Sequence, residues 1–129
     1  MNDLEERLGR YIESEVCVCT SVGDHLTKLT NLNKEITSDL TTLAKALKIL
    51  AEPNRLRIIY LLKDKPLCLC ELEYILKLSQ PTITHHVKKL KSIGIIRLEK
   101  DGRWTSSNLI RPEIIESLLS LNEIINPTI

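Results

Sequence analysis

A chain of 129 residues with 43% hydrophobic and 27% charged side chains has room for one compact domain plus an arm, and nothing in it argues for disorder. Its net charge of +1 hides a split: residues 1–40 carry eight acidic and four basic side chains, residues 77–103 seven basic and two acidic ones, enough for several phosphate contacts. No apolar run reaches the about 18 residues of a membrane span, and the acidic opening MNDLEERLGR is no secretory signal, so a cytoplasmic protein with reduced cysteines is expected.

The core must be aliphatic, since the chain has no Phe and one Trp. Residues 1–37 read as an arm: a short charged helix with Leu4, Leu8 and Ile12 four apart, an irregular stretch holding Cys17 and Cys19, and a weak helical pattern from Asp24 to Asn33. Residues 38–111 read as the main domain. Ser38 is the expected N-cap of a helix with Leu40, Leu43, Ala44, Leu47 and Leu50 at helical spacing. Pro53 ends it and opens a second helix, apolar nearly all round and therefore central. A third helix over LCLCELEYILK stops at Leu78–Ser79.

Ser79 then caps a fourth helix, with Pro81 in its first turn, Ile83, Val87 and Leu90 on its buried side, and Gly94 at its end. Two short helices joined by a brief turn form a helix-turn-helix pattern. The period next changes from 3.6 to 2, and two strands flank Asp101–Gly102, a strong hairpin signal that reads as a wing. Residues 112–129, opened by Pro112, read as a last helix, with Ile114, Ile115, Leu118, Leu119, Leu121 and Ile125 forming a broad apolar face. The fold class is therefore mainly α with a small β-hairpin.

A helix that reads duplex DNA needs short polar side chains in its first turns and cations beyond them. Ser79, Gln80, Thr82, Thr84, His85 and His86 meet the first need, Lys88 and Lys89 the second, while Lys100 and Arg103 flank the wing tip. Singly, each is also what a solvated helix face carries. Helix, turn and wing together point to DNA. No nucleophile–base–acid set, glycine-rich phosphate loop or paired-carboxylate motif stands out, so no enzyme is expected.

The strings LAEPNRLRIIYLL, LCLCEL and LSQPTITHHVKKLKSIGIIRLEKDGRWTSSNL resemble the ArsR/SmtB family of metal-responsive winged helix-turn-helix repressors, from about Ser38 to Ile125. The resemblance implies a homodimer held by its first and last helices. Such a dimer represses through an imperfect inverted repeat in double-stranded operator DNA until an inducer releases it.

Cys17, Cys19, Cys68 and Cys70 form two CxC pairs, and thiolates suit soft ions such as Cd, Pb, Zn, Cu(I) or As(III). Residues i and i+2 diverge by about 200° on a regular helix, but Cys68 and Cys70 fall at the start of one, where unpaired N–H groups are also expected to lower thiol pKa. In the CadC-like, cadmium- and lead-sensing branch, the resemblance implies a site made from a CxC before the recognition helix and cysteines of the arm, within or between protomers. Glu71, Leu72 and Glu73 replace the third cysteine of the arsenite-sensing pattern, and the last helix has no histidine for a zinc site there. His25, with Asp24, offers an extra ligand, although a lone exposed histidine is more often an ordinary surface residue. The alternative on the same scaffold is a sensor of oxidants or reactive sulfur.

Overall fold

The computed structural model describes residues 2–14 and 22–125. These form α1 (Asp3–Glu13), α2 (Val22–Leu50), α3 (Pro53–Leu61), β1 (Leu67–Cys68), α4 (Leu69–Leu76), α5 (Gln80–Ser92), β2 (Ile96–Asp101), β3 (Trp104–Leu109) and α6 (Glu113–Ile125). Contacts divide the chain into residues 1–43 and 44–129. None of the described helices is long and apolar enough to cross a membrane.

In the first unit, α1 starts from a reciprocal cap: Asn2 Oδ1 accepts the Glu5 N–H at 2.8 Å and Glu5 Oε2 accepts the Asn2 N–H at 3.4 Å. The expected start at Ser38 is corrected, because α2 runs through it unbroken from Val22. No Pro or Gly interrupts residues 24–50, and Ser or Asp inside a helix costs only ~0.5 kcal/mol, too little to stop one.

The second unit is built on punctuation that the sequence announces. Glu52 caps α3 by accepting the Arg55 N–H at 3.0 Å, with Pro53 in the first turn. Ser79 caps α5 in extended conformation, its hydroxyl accepting the Thr82 N–H at 3.4 Å. From there Ile83, Val87 and Leu90, spaced by three and four residues, lie fully buried against Ile58, Ile59, Leu62 and Leu72. Helix α5 ends at Ser92, and Gly94 at φ +79° turns the chain into β2. Helix α4 instead ends on Lys77 in the left-handed region, φ 56°, with its ammonium 3.9 Å from the Tyr74 ring.

The wing is a three-stranded antiparallel sheet in the order β1-β3-β2. Two details depart from the hairpin expected. The register pairs Asp101 with Trp104, so the turn residues are Gly102 and Arg103 rather than Asp101 and Gly102. Gly102, φ +62°, supplies the positive angle at the first turn position, as a II′ turn requires. The edge strand β1 pairs Leu67 with Ser107 and Cys68 with Ser106, and the buried Ser107 hydroxyl donates to Leu67 O at 3.0 Å. Two residues are too short for a strand signal in sequence. The helix-turn-helix α4–α5 with this wing is a winged helix-turn-helix.

Candidate nucleic-acid interface and thiol site

The outer face of α5 gathers part of the predicted DNA-reading set. Gln80, Thr84, His85 and Lys88 line one open concavity of about 430 Å³, as residues four apart on one helix face should. Lys89 is exposed on α5, and Lys100 and Arg103 are exposed on the wing. Ser79 and Thr82 are engaged with each other, their hydroxyls 2.8 Å apart within the helix cap.

His86 is corrected. It follows the buried side of α5, is only 8% exposed, and its Nδ1 accepts a hydrogen bond from Arg55 Nε at 3.1 Å. Arg55 also donates from Nη1 to Ile49 O at 3.0 Å, and the Glu52 carboxylate lies 3.7 Å from His86 Nδ1. The end of α2, the start of α3 and the middle of α5 thus meet at one imidazole. Desolvation holds its pKa below the ordinary 6.5, opposed by Glu52 and assisted by the charges of Arg55 and His85. Glu52 and Arg55 were not singled out from sequence, because their roles exist only across elements.

The second pair of cysteines converges. Cys68 is the extended N-cap of α4 and Cys70 stands in its first turn, so regular helical divergence does not apply and their Sγ atoms approach to 2.8 Å. Glu71 Oε1 accepts the Cys68 N–H at 2.9 Å and fixes the cap. The expectation of a lowered thiol pKa is overturned for Cys70. The hydrogen bond with Cys68 raises it first, then desolvation and the charge of Cys68, against which the Glu71 backbone N–H acts only partly. Both are free cysteines. Cys17 and Cys19 lie outside the described residues, and among the described residues no three His, Cys, Asp or Glu side chains converge as a metal site. By its donor chemistry, the sulfur pair fits half of a thiolate site.

Residues 52–97, from the cap of α3 into β2, match the sequence model described as "Bacterial regulatory protein, arsR family". The chain is 39% identical over 83 residues to the arsenical resistance operon repressor of Staphylococcus aureus, spanning 62% of this chain and 80% of that protein. This chain belongs to the ArsR family. Like its relatives, this ArsR-family protein is a DNA-binding transcriptional regulator and not an enzyme. It is 30% identical over 94 residues to the cadmium resistance transcriptional regulatory protein CadC of Listeria innocua, spanning 71% of this chain and 77% of that one. In structure it matches the homodimeric winged helix-turn-helix DNA-binding domain Mb0332 of Mycobacterium bovis with a TM-score of 0.60 at 18% identity, covering 73% and 89% of the two chains.

Proposed function

We propose that this ArsR-family chain is a homodimeric repressor that holds an imperfect inverted repeat in operator DNA and lets go when its thiolates capture a soft metal or metalloid ion, Cd, Pb, Zn or As(III). The single observation carrying this reading is the 2.8 Å approach of Cys68 and Cys70 at the head of α4, the helix directly before α5. Cys17 and Cys19 are the proposed remaining ligands. Cys17, Cys19, Cys68 and Cys70 would hold the soft ion, whose bonds to sulfur would link the arm to the helix that positions α5.

On DNA, α5 enters the major groove with Gln80, Thr84 and His85 toward base edges. Lys88, Lys89, Lys100 and Arg103 serve the phosphates. Dimerisation is supported by apolar surface that α6 leaves uncovered: Leu119 is 55%, Ile124 77% and Ile125 64% exposed. Beside it, Leu56, Tyr60, Ile115, Leu118 and Leu119 line a groove of about 220 Å³. Along α2, Leu32, Ile36, Leu40, Leu43 and Leu47 form a second exposed stripe, three or four residues apart.

The test is to titrate the reduced protein with Cd(II), Pb(II), Zn(II) and arsenite while following release of DNA from its own promoter. The double variant Cys68→Ser, Cys70→Ser should bind that DNA as before and ignore all four ions. Induction like that of the unaltered chain would end the reading. A second reading, an oxidant sensor, is favoured by the same short sulfur–sulfur distance. Two thiols and one peroxide give a Cys68–Cys70 disulfide and two waters. Release by peroxide but by none of the ions would select it.

A further inference from the structure

Side-chain tips stand about 5–6 Å from a helix axis, so a roll of about 10° moves them by about 1 Å. A hydrogen bond tolerates a spread of only about 0.5 Å. Ile83, Val87 and Leu90, all fully buried, hold α5 against the core. Aliphatic contact has no direction of its own, so it fixes the depth of α5 more firmly than its roll. A directional contact comes from His86, whose Nδ1 accepts from Arg55 Nε at 3.1 Å. Arg55 is itself held from two sides. Its backbone N–H donates to Glu52 Oε2 at 3.0 Å in the cap of α3, and its Nη1 donates to Ile49 O at 3.0 Å. In a continuing helix that carbonyl would accept the N–H at position 53, but Pro53 has none. The guanidinium fork takes its place and joins the last turn of α2, the first turn of α3 and the inner face of α5. One residue before His86, with its ring 5.9 Å away, His85 turns to the open face beside Gln80, Thr84 and Lys88. A roll of α5 at His86 therefore redirects His85 and its neighbours.

Resting on the reading that α5 enters the major groove, we propose that Arg55 is a positioning residue for base recognition: through His86 it sets the roll of α5 without touching DNA itself. Loss of either partner leaves α5 formed and its cations in place, but lets the reading face turn by some degrees. Long lysine side chains follow a phosphate through such a turn, whereas short polar side chains aimed at base edges cannot. Discrimination between sequences falls, and attraction for any duplex stays.

The experiment uses the full reduced chain without added metal, at concentrations corrected for the folded fraction. Two duplexes of equal length are compared, a fragment of the chain's own promoter and the same bases in scrambled order. In Arg55→Met and in His86→Leu, promoter affinity should fall roughly tenfold while affinity for the scrambled duplex changes by less than about twofold. The double variant should lose no more than either single one, since both remove the same bond. His86→Asn, whose carbonyl oxygen can accept where Nδ1 does, should keep the promoter preference of the unaltered chain within about twofold. A purely structural role would lower the folded fraction and leave the preference of the folded protein alone. Unchanged preference in Arg55→Met and His86→Leu, or losses that add in the double variant, overturns the proposal. Should Arg55→Met fail to fold, His86→Leu and His86→Asn decide by themselves, and equal preference in the two refutes it. Failure of the underlying reading looks different: the unaltered chain would bind both duplexes alike, and both ideas would fall.

Discussion

Arg55 and His86 are joined by a hydrogen bond of 3.1 Å across 31 residues of sequence, from the first turn of α3 to the inner face of α5. Arg55 can only donate, so His86 Nδ1 must be unprotonated to accept. Removing the guanidinium leaves the buried imidazole nitrogen and Ile49 O without their donor. Arg55→Met should therefore cost about 2 kcal/mol of stability, read as a lower urea midpoint with an unchanged slope.

Burial of the same imidazole sets a pH dependence. His86 titrates below its ordinary 6.5 in the folded protein, so the unfolded chain binds the extra proton more readily. Its contribution to stability is complete above 6.5 and is lost as pH falls through the folded value. Denaturation midpoints measured from pH 7.5 down to 5 should decline, and His86→Gln should flatten that decline. An equally steep decline in the variant would count against the assignment.

Lys77 is the one described non-glycine residue with positive φ, 56°, at the end of α4. A side chain in the left-handed region costs roughly 1–2 kcal/mol, and glycine avoids that cost while giving up the contact with Tyr74. Lys77→Gly should raise stability by about 1 kcal/mol, visible in thermal denaturation, with promoter affinity little changed.

Ile83 is fully buried on α5. Its truncation to alanine should cost about 3 kcal/mol and weaken DNA binding in proportion to the unfolded fraction, a coupling that vanishes when affinity is referred to folded protein.

On the outer face of α5, two kinds of loss should be separable. Gln80→Ala or His85→Ala should relax preference at particular base pairs, by about 1–3 kcal/mol each. Lys88→Ala should weaken all duplexes alike and lower the slope of log affinity against log salt by about 0.9. Competition assays over single-base operator variants at several salt concentrations distinguish them.

The parts of this molecule written in local chemistry were readable from sequence. Ser79 with Pro81, Pro53, Gly94 and the period change after it each act within a few residues, and each stands where the pattern puts it. What sequence misjudged depends on a competitor elsewhere in the chain. Ser38 looks like a cap only if the helix needs one there, and α2 has no reason to break. His86 looks like its neighbour His85 until α3 brings Arg55 and Glu52 to its other side. The raised pKa of Cys70 follows from a sulfur two residues away that helix geometry alone would have sent elsewhere. Strand β1 is invisible because only β3 makes it a strand.

The II′ turn of the wing leaves a particular freedom. Because Gly102 takes the left-handed backbone angle, position 103 keeps a conformation that any L-residue adopts at no penalty. The charge at the tip of the hairpin can therefore be rewritten one side chain at a time, with the strand pairing beneath it undisturbed. Regulators sharing this scaffold can be retuned there, for stronger or weaker grip on DNA, without rebuilding anything that folds.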